Sequence, residues 1–290
     1  AQRLFDRIME DQGGNDDYYT CLLLALSMQA PETITPKMLE GLRECALKGK
    51  VGRRNASDLI SSYAALALGR LGSRDEIKPL TEAMRVKSTG QNTKRSAAIS
   101  LGKLGQRVDG AERVAVAVDL WKAMEGVKEA STRNFAIISL AYLVSADVRQ
   151  DKTDVISAKG LKVTDELLKI AGKDGRFNER PYGALALGLI CRAIGDRPTI
   201  DAYGEFRAKA MDVLRAGLTD TKMDKRSQGA YAVALGMMRD DGHKKALVDI
   251  LSDKGTDPEL RGYCAVSLGM MRAASPDVIK ALRDAMRERV

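Results

Sequence analysis

Hydrophobic and polar positions along this chain of 290 residues follow a pattern that occurs seven times. Each copy is a short apolar element that ends in a small residue, which serves as the anchor of the repeat. The anchors are Ser27, Gly69, Gly102, Ala141, Gly188, Gly236 and Gly269. In every copy the residue before the anchor is Leu, and the one before that is Ala or Ser. Successive anchors lie 33 to 48 residues apart, a period typical of two helices per repeat.

The residues around each apolar element are apolar or small on almost all sides, which predicts a helix buried on several faces. We call these the inner helices. The small residue two before the anchor lets neighbouring helices approach closely, and the Leu fills the space between them. Outer helices with a one-sided apolar stripe are predicted between them, most clearly at residues 76–86, 111–124, 206–218 and 244–251. Gly72 and Gly105 follow inner helices where a left-handed cap is expected.

A polar turn precedes the inner helices, most clearly at residues 257–261. Asp257 followed by Pro258 is a strong signal for the start of a helix, and Arg261 lies one helical turn after Asp257. Together with the helix that follows, this turn resembles the HEAT repeat, particularly the short bacterial type related to phycobilin lyases. The position of Arg261 is filled in other repeats by Lys94, Arg133 and Arg180, whereas Gln228 and Ser61 depart from the pattern.

The resemblance covers nearly the whole chain and implies an all-α fold. We expect a right-handed α-solenoid, or α–α superhelix, of about seven HEAT-like helical hairpins in a single domain spanning residues 1–290. A polar insertion near residues 145–162 is predicted to be a surface loop or a short extra helix. Residues 276–289 are predicted to be a last outer helix, whose apolar stripe either packs back on the preceding repeat or docks onto something else.

The composition is that of a folded, water-soluble chain, with 44% apolar and 30% charged residues. Aromatic residues make up only 4%, which disfavours an aromatic-rich sandwich and a base-stacking nucleic-acid platform. No apolar run approaches the roughly 20 residues that a membrane span needs. We expect an N-terminal leader to be absent or already removed. Compartment and oligomeric state stay open.

The four cysteines form no Cys-x-x-Cys pair, and His243 is the one histidine, so a structural zinc site is disfavoured. Cys21 and Cys45 are placed so that they could pair across a helical hairpin; the alternative is four buried thiols. His243 is expected to be a solvated residue of a turn.

Phosphate-loop, dinucleotide, hydrolase and zinc-protease motifs do not occur in the sequence. Deoxyhypusine hydroxylases resemble this chain in architecture but bind iron through His–Glu pairs, and His243 is followed by Lys244, so that function is excluded. We therefore predict a protein that is not an enzyme, with no catalytic residue, metal or cofactor. A phycobilin-lyase-like handling of a chromophore stays an alternative that rests on repeat type alone.

The charge balance is +8, from 47 Lys and Arg against 39 Asp and Glu. Two turns that lead into neighbouring inner helices together carry eight positive charges, a number equal to the net charge. The sequence has no acid in residues 45–55 or 83–95. We call these residues the basic edge: Lys48, Lys50, Arg53, Arg54, Arg85, Lys87, Lys94 and Arg95. They are either an anion-attracting ridge or solvated charge that keeps the protein in solution.

A second candidate surface starts from the residue that follows each anchor, the most variable position of the inner helix. We predict a partner-binding groove there, formed by Arg70, Lys103, Tyr142, Leu189, Met237 and Met270. The groove would grade from basic to apolar and Met-rich, which suits a protein or peptide partner with acidic and apolar parts. The alternative is that these side chains seal neighbouring repeats.

The leading functional hypothesis is a non-enzymatic protein-interaction scaffold, as part of a larger assembly or chain. Binding of nucleic acid or another polyanion along the basic edge is the hypothesis of a different class.

Overall fold

The computed structural model describes residues 1–10, 13–195, 200–239, 241–272 and 274–287. Within these residues the chain is all-α apart from short 3-10 turns and one pair of two-residue antiparallel strands, β1 (Lys50–Val51) and β2 (Arg54–Asn55). The inner helices are α2 (Asp16–Ser27), α4 (Asp58–Leu71), α6 (Gln91–Gly105), α8 (Ala130–Arg149), α10 (Arg180–Ile194), α12 (Lys225–Met238) and α14 (Pro258–Met271). The outer helices are α1 (Gln2–Glu10), α3 (Pro36–Lys48), α5 (Ile77–Arg85), α7 (Gly110–Gly126), α9 (Val163–Ala171), α11 (Asp201–Leu218), α13 (Lys244–Ser252) and α15 (Pro276–Arg287).

The chain divides into two compact units, residues 1–143 and 144–290, with the boundary inside α8. In the first unit α2 packs on α4 and α4 on α6, while α3 and α5 pack on α4 and α6 respectively. In the second unit α10 packs on α12 and α12 on α14, and each is covered by its outer helix. Successive helical hairpins therefore stack in chain order within each unit, which confirms the predicted α-solenoid class.

The anchor glycines explain how closely the inner helices pack. A Cβ built on Gly69 would collide with the side chain of Ser100, and a Cβ on Gly102 would lie 2.7 Å from the Cβ of Ser139. The same clash occurs at Gly188 and Gly236. In each case the neighbour is the small residue two before the next anchor, as the close-packing argument from the sequence requires.

The two serines at this contact also add a hydrogen bond between neighbouring inner helices. The hydroxyl of Ser100 donates to the carbonyl oxygen of Ala65 at 2.9 Å, and that of Ser139 donates to the carbonyl oxygen of Ala98 at 2.8 Å. Both hydroxyls are fully buried, so the bond satisfies a group that would otherwise lose its water.

The residue eight before the anchor closes the hairpin in several repeats. Arg133 donates to the carbonyl oxygen of Val127 at 2.8 Å, and Arg261 donates to that of Leu251 at 2.8 Å, at the end of the preceding outer helix. Gln228, which departs from the sequence pattern, has the same role, because its amide donates to the carbonyl oxygen of Leu218 at 3.2 Å. The common requirement at this position is a side-chain donor for an unsatisfied helix-end carbonyl.

Ion pairs connect the starts of neighbouring inner helices. Arg95 on α6 contacts Glu129 before α8 at 2.8 Å, and Arg226 on α12 contacts Glu259 on α14 at 3.0 Å. Glu129 also accepts hydrogen bonds from the backbone of Ser131 and Thr132, so one carboxylate both caps α8 and holds α6. Burial alone raises the pKa of Glu129, but the hydrogen bonds from Arg95, Thr132 and Ser131 outweigh it and hold the pKa at about 2.

This depressed pKa predicts a pH-dependent loss of stability. Because the folded pKa lies below the unfolded value of 4.5, the stabilisation is present at neutral pH and is lost as the pH falls from about 5 towards 2. We expect Glu129→Gln to lower the free energy of unfolding by about 2 kcal/mol at pH 7 and by much less at pH 2.5. Urea unfolding followed by circular dichroism at both pH values measures this, and an equal loss at both would contradict it.

Several local predictions are corrected. Gly72 is extended and Gly105 is the last residue of α6, so neither is a left-handed cap; left-handed residues that end helices are Gly49, Arg239 and Arg272. A Cβ on Gly72 would collide with Cγ of Glu76 and would lie 2.6 Å from the carbonyl oxygen of Leu68, so close approach is what requires this glycine.

The segment predicted as a polar insertion, residues 145–162, starts inside a helix, because α8 runs to Arg149. The part of this segment after α8 is held in place by hydrogen bonds and is not simply a solvent-exposed loop. The buried carboxylate of Asp147 accepts a hydrogen bond from the backbone of Val155 at 2.7 Å, and Tyr203 donates to the carbonyl oxygen of Lys152 at 2.6 Å. Asp147 and Val155 are fully buried, so the insertion contributes to the core of its unit.

The last outer helix, predicted over residues 276–289, extends over Pro276–Arg287, and residue 289 lies outside the described residues. It packs on α13 and buries Val278 and Ala281, whereas Ile279 and Met286 stay exposed.

All four cysteines are free: Cys21 is exposed, and Cys45, Cys191 and Cys264 are buried. The pairing of Cys21 with Cys45 that the sequence allowed is therefore not formed, and the alternative of four buried thiols holds for all but Cys21. Burial raises the pKa of the three buried thiols to about 12.

Candidate functional site

One face of each inner helix is neither packed on an outer helix nor on a neighbouring inner helix. It is formed by the residue three before the anchor and the residue one after it, which are four apart and therefore lie on the same side of the helix. Every residue at these two positions is exposed or half-buried, whereas the Leu before the anchor is buried in all seven repeats. We call this surface the inner-helix face and describe it separately for the two units.

In the first unit the inner-helix face combines positive charge with apolar side chains. Arg70 on α4 and Lys103 on α6 are exposed, and neither side chain has an ion pair or hydrogen bond among the described residues. Half-buried Ile99, Ile138 and Tyr142 lie on the same face. The contact of Gly69 with Ser100 fixes α4 and α6 side by side, so the two cations occupy equivalent positions on adjacent helices.

A third cation lies at the end of α4. Arg107 donates to the carbonyl oxygen of Arg70 at 3.1 Å and to that of Gly69, which satisfies two carbonyls at a helix C-terminus. Burial lowers the pKa of the Arg107 guanidinium. A cleft of about 420 Å³ lies beside it, lined by Arg74, Leu104 and Glu112 among others. Arg107 therefore adds a cation beside Arg70, while the cleft itself carries both signs of charge, with Arg74 paired to Glu112.

In the second unit the inner-helix face is entirely apolar. The residues three before the anchors are Leu185, Val233 and Val266, and those one after them are Leu189, Met237 and Met270. All six are solvent-accessible, and Val266 is 56% exposed. Accessible branched aliphatic and flexible Met side chains in one row are typical of surfaces that bind protein.

The structure brings all six predicted groove residues onto this face, three of them in each unit. The other position of this face, the residue three before the anchor, was not predicted from the sequence. In the seven repeats that residue is Leu, Leu, Ile, Ile, Leu, Val and Val. Because this position is apolar in every repeat, the pattern indicated a residue of the hydrophobic core. The residue three before the anchor lies four residues before the variable groove position, and this spacing indicates that both residues lie on the same side of the helix.

Three of the eight cations of the basic edge are compensated by acids from outside the two turns. Lys48 pairs with Glu44 at 3.0 Å, Arg85 with Asp119 at 2.5 Å, and Arg95 with Glu129 at 2.8 Å. The fold brings in Asp119 and Glu129 from distant parts of the chain, whereas Glu44 lies one helical turn before Lys48 on α3, so acids counted within the two turns alone understate the compensation. Exposed pairs of this kind contribute little to stability, but they remove positive potential that an anion would need.

The remaining residues of the basic edge have different environments. The Arg54 guanidinium lies 3.1 Å from the centre of the Tyr19 ring, and Lys50 donates to Asn55 at 2.6 Å. Arg53, Lys87 and Lys94 have no side-chain partner among the described residues. The carboxylate of Asp58 accepts hydrogen bonds from the start of α6, which places the two turns next to each other. The prediction of an anion-binding edge therefore stays a prediction, now carried by Lys50, Arg53, Lys87 and Lys94.

His243, expected to be solvated, is buried, and its Nε2 accepts a hydrogen bond from Nε of Arg215 at 2.5 Å. Within the described residues no group of three or more His, Cys, Asp or Glu side chains is arranged to hold a metal ion. Helices long and apolar enough to cross a membrane are also not found in this part of the chain.

Comparisons with known proteins identify no family. No protein-family model matches the chain, and no curated protein matches it. Among solved structures, human deoxyhypusine hydroxylase in complex with glycerol is similar, with a TM-score of 0.41 and 16% identity, over all of this chain and 91% of that one.

The prediction that this chain is not an enzyme is contradicted by this comparison, because the similar protein is an enzyme. The lack of a catalytic motif in the sequence does not exclude an enzymatic class. No activity, substrate or metal is transferred to this chain, since a likeness at this level carries none of them.

Proposed function

We propose that this chain is a HEAT-type repeat protein that binds a segment of a protein partner along the inner-helix face of its first unit. The observation that carries the proposal is the pair Arg70 and Lys103: two exposed cations on adjacent helices, without acidic partners among the described residues, beside apolar Ile99 and Tyr142. Several other basic residues of the first unit are held by a carboxylate or an aromatic ring instead.

The assignment to the HEAT type rests on three features of the hairpins. Asp224 and Asp257 cap inner helices through their carboxylates, as the Asp-Pro turn of the HEAT repeat predicts. A donor eight before the anchor closes the hairpin, and a small residue two before it contacts the preceding anchor.

The chemistry of the face defines the partner segment. Inner helices that pack side by side are about 8–10 Å apart, so two carboxylates at that separation could each meet one cation. Apolar side chains of the segment beside these carboxylates would cover Ile99 on α6 and Tyr142 on α8, and Arg and Tyr are residue types that dominate binding energy at such contacts. We therefore propose a segment with acidic residues next to apolar ones, as part of a larger assembly whose other contacts include the apolar face of the second unit.

The test selects peptides from a displayed random library against the full chain and measures the affinity of enriched sequences by fluorescence anisotropy. We expect enrichment of Asp or Glu next to Leu, Phe or Met, and a weakening of binding by about tenfold or more in the variant Arg70→Glu/Lys103→Glu. The matched control is Lys78→Glu/Lys122→Glu, which makes the same charge change on the exposed surface of outer helices α5 and α7.

Three results would contradict this proposal. One is that no sequence is enriched, and another is that enriched peptides lose affinity equally in both double variants. The third is that single-stranded nucleic acid is retained in a salt-sensitive manner and released by reversing Arg53 and Lys94, which would favour the basic edge instead.

A further inference from the structure

Three inner helices of the second unit end beside an exposed arginine. Arg192 lies in the last turn of α10, and Arg239 and Arg272 directly follow the last residues of α12 and α14. All three side chains are exposed, and none of them forms an ion pair or a side-chain hydrogen bond among the described residues. Because α10 packs on α12 and α12 packs on α14, the three cations follow one another along the C-terminal ends of the inner helices. We call these three residues the arginine row.

Two residues of the arginine row have a backbone conformation that favours glycine. The φ angle is +54° at Arg239 and +55° at Arg272, in the left-handed region where an L side chain costs free energy. Helix α3 ends in the same region at Gly49, as is usual for a helix C-terminus. A cation in the last turn would stabilise a helix end without this conformation, so the helix dipole does not account for it. A strained residue that occurs at the same place in two repeats indicates a function for its side chain.

The apolar inner-helix face of the second unit lies beside the arginine row. Arg192 follows Leu185 by seven residues and therefore lies on the same side of α10. Met237 lies two residues before Arg239, and the same Gly-Met-Met-Arg sequence ends α14. Val233 and Met237 are accessible although α14 packs on α12, so the exposure of this face does not depend on which inner helix is the last. Each of the three helices thus presents apolar side chains next to a cation that has no acidic partner among the described residues.

We infer that the arginine row and the apolar face beside it bind an amphipathic α-helix of a partner protein, with acidic residues along one side of its apolar stripe. Neighbouring inner helices are about 8–10 Å apart. Seven residues of an α-helix rise about 10.5 Å and return to the same side, so acidic residues seven apart can meet successive arginines. In an extended segment three residues span about 10 Å, but side chains three apart point to opposite sides. The spacing of the cations therefore fits a helix laid across α10, α12 and α14.

The apolar side chains favour a protein helix over a polyanion. A nucleic acid would contact the arginines through its phosphates and leave the row of Leu, Val and Met side chains in water. An amphipathic helix covers the apolar face and supplies the opposite charge at its border. The inference is independent of the proposed function, because it concerns the second unit and a helical ligand, and either can fail while the other holds.

The test selects binders of the full chain from a displayed library in which the exposed face of one helix of a stable helical-bundle scaffold is randomised. The scaffold keeps the probe helical, so the entropy of helix formation does not mask binding. We expect enrichment of Asp or Glu at seven-residue spacing beside a stripe of Leu, Ile or Met. Fluorescence anisotropy with an enriched scaffold then compares the wild type with variants of the chain.

The decisive variant is Arg239→Gly/Arg272→Gly, which should weaken binding by about tenfold or more because it removes two cations of the row. The same variant should unfold at an equal or higher urea concentration, since glycine adopts the left-handed conformation without strain. Loss of binding together with retained or increased stability is a result that a purely structural role of these arginines would not give.

The matched control is Lys209→Gln/Lys280→Gln, which removes two charges from exposed positions of the outer helices α11 and α15 and should keep the affinity. A second control, Arg70→Glu/Lys103→Glu, should also keep it, because those residues belong to the first unit. This control separates the inference from the proposed function.

The inference is overturned if no helix is enriched, if the enriched helices lack the spaced acids, or if the glycine and glutamine variants bind equally well. A lower urea midpoint in the glycine variant would also overturn it, because the arginines would then support the helix ends. Retention of single-stranded DNA that the glycine variant abolishes, without enrichment of any helix, would assign the arginine row to a polyanion instead.

Discussion

Replacing Arg43 with Met is expected to lower the free energy of unfolding by about 3–5 kcal/mol. Arg43 on α3 donates two hydrogen bonds to Glu76, at 2.7 Å from Nε and 2.5 Å from Nη2. The Glu76 side chain is 0% exposed, whereas that of Arg43 is 34% exposed. The hydrogen bond with Glu76 raises the pKa of Arg43, as expected for a cation held by a buried carboxylate. Without Arg43 the carboxylate would stay buried with its charge uncompensated.

The measurement is urea unfolding at pH 7, and the control is Arg74→Met. Arg74 also forms an ion pair, with Glu112 at 3.1 Å, but both partners are well exposed. We expect that control to lose less than about 1 kcal/mol. The double variant Arg43→Met/Glu76→Met should recover most of the loss, because removing both charges also removes the cost of burying one of them. A loss in Arg43→Met no larger than in Arg74→Met would contradict the assigned role.

The second large effect is expected at the anchor glycines, where the same substitution should have opposite signs in two repeats. Gly236→Ala should lower the free energy of unfolding by about 1–3 kcal/mol, since the new Cβ would lie 2.7 Å from the backbone of Ser267. Gly269→Ala should raise it by about 0.5–1 kcal/mol, because alanine favours the helix and meets no described atom.

Both glycine variants are compared by urea unfolding under one condition, with circular dichroism as the signal. The two positions have the same place in the repeat and in the helix, so the difference isolates the contact with a following inner helix. Stabilisation in both variants would mean that neighbouring inner helices can move apart at little cost, and the tight contact would then not hold the second unit together.

The repeat pattern was sufficient to predict the inner helices because each carries its Leu and its small residue at fixed spacing. The same pattern placed three groove residues of each unit on equivalent positions of its inner helices. Gln228 shows where pattern matching fails: a search for Arg missed it, although any side chain that donates to the carbonyl oxygen of Leu218 meets the requirement.

The electrostatics could not be predicted from the sequence to the same degree. Asp119 and Glu129 lie 34 residues from the cations they neutralise, and only the fold brings them together. His243 was misjudged for the same reason, since its polarity suggested solvent while a partner 28 residues away, Arg215, allows burial. Properties that depend on spacing within one helix followed from the sequence, whereas those that depend on which loop meets which helix did not.

The anchor contact also bears on how such a chain changes length over evolution. A typical inner helix carries both halves of the contact, a small residue for its predecessor and a glycine for its successor, as Ser100 and Gly102 do. Duplicating or deleting a whole hairpin would therefore create a junction of the same kind, with no compensating substitutions in the flanking repeats. The loops, which absorb spacings from 33 to 48 residues, would tolerate the change. Gene rearrangements in units of one hairpin would thus let this architecture gain or lose binding surface while every intermediate sequence still encodes a folded chain.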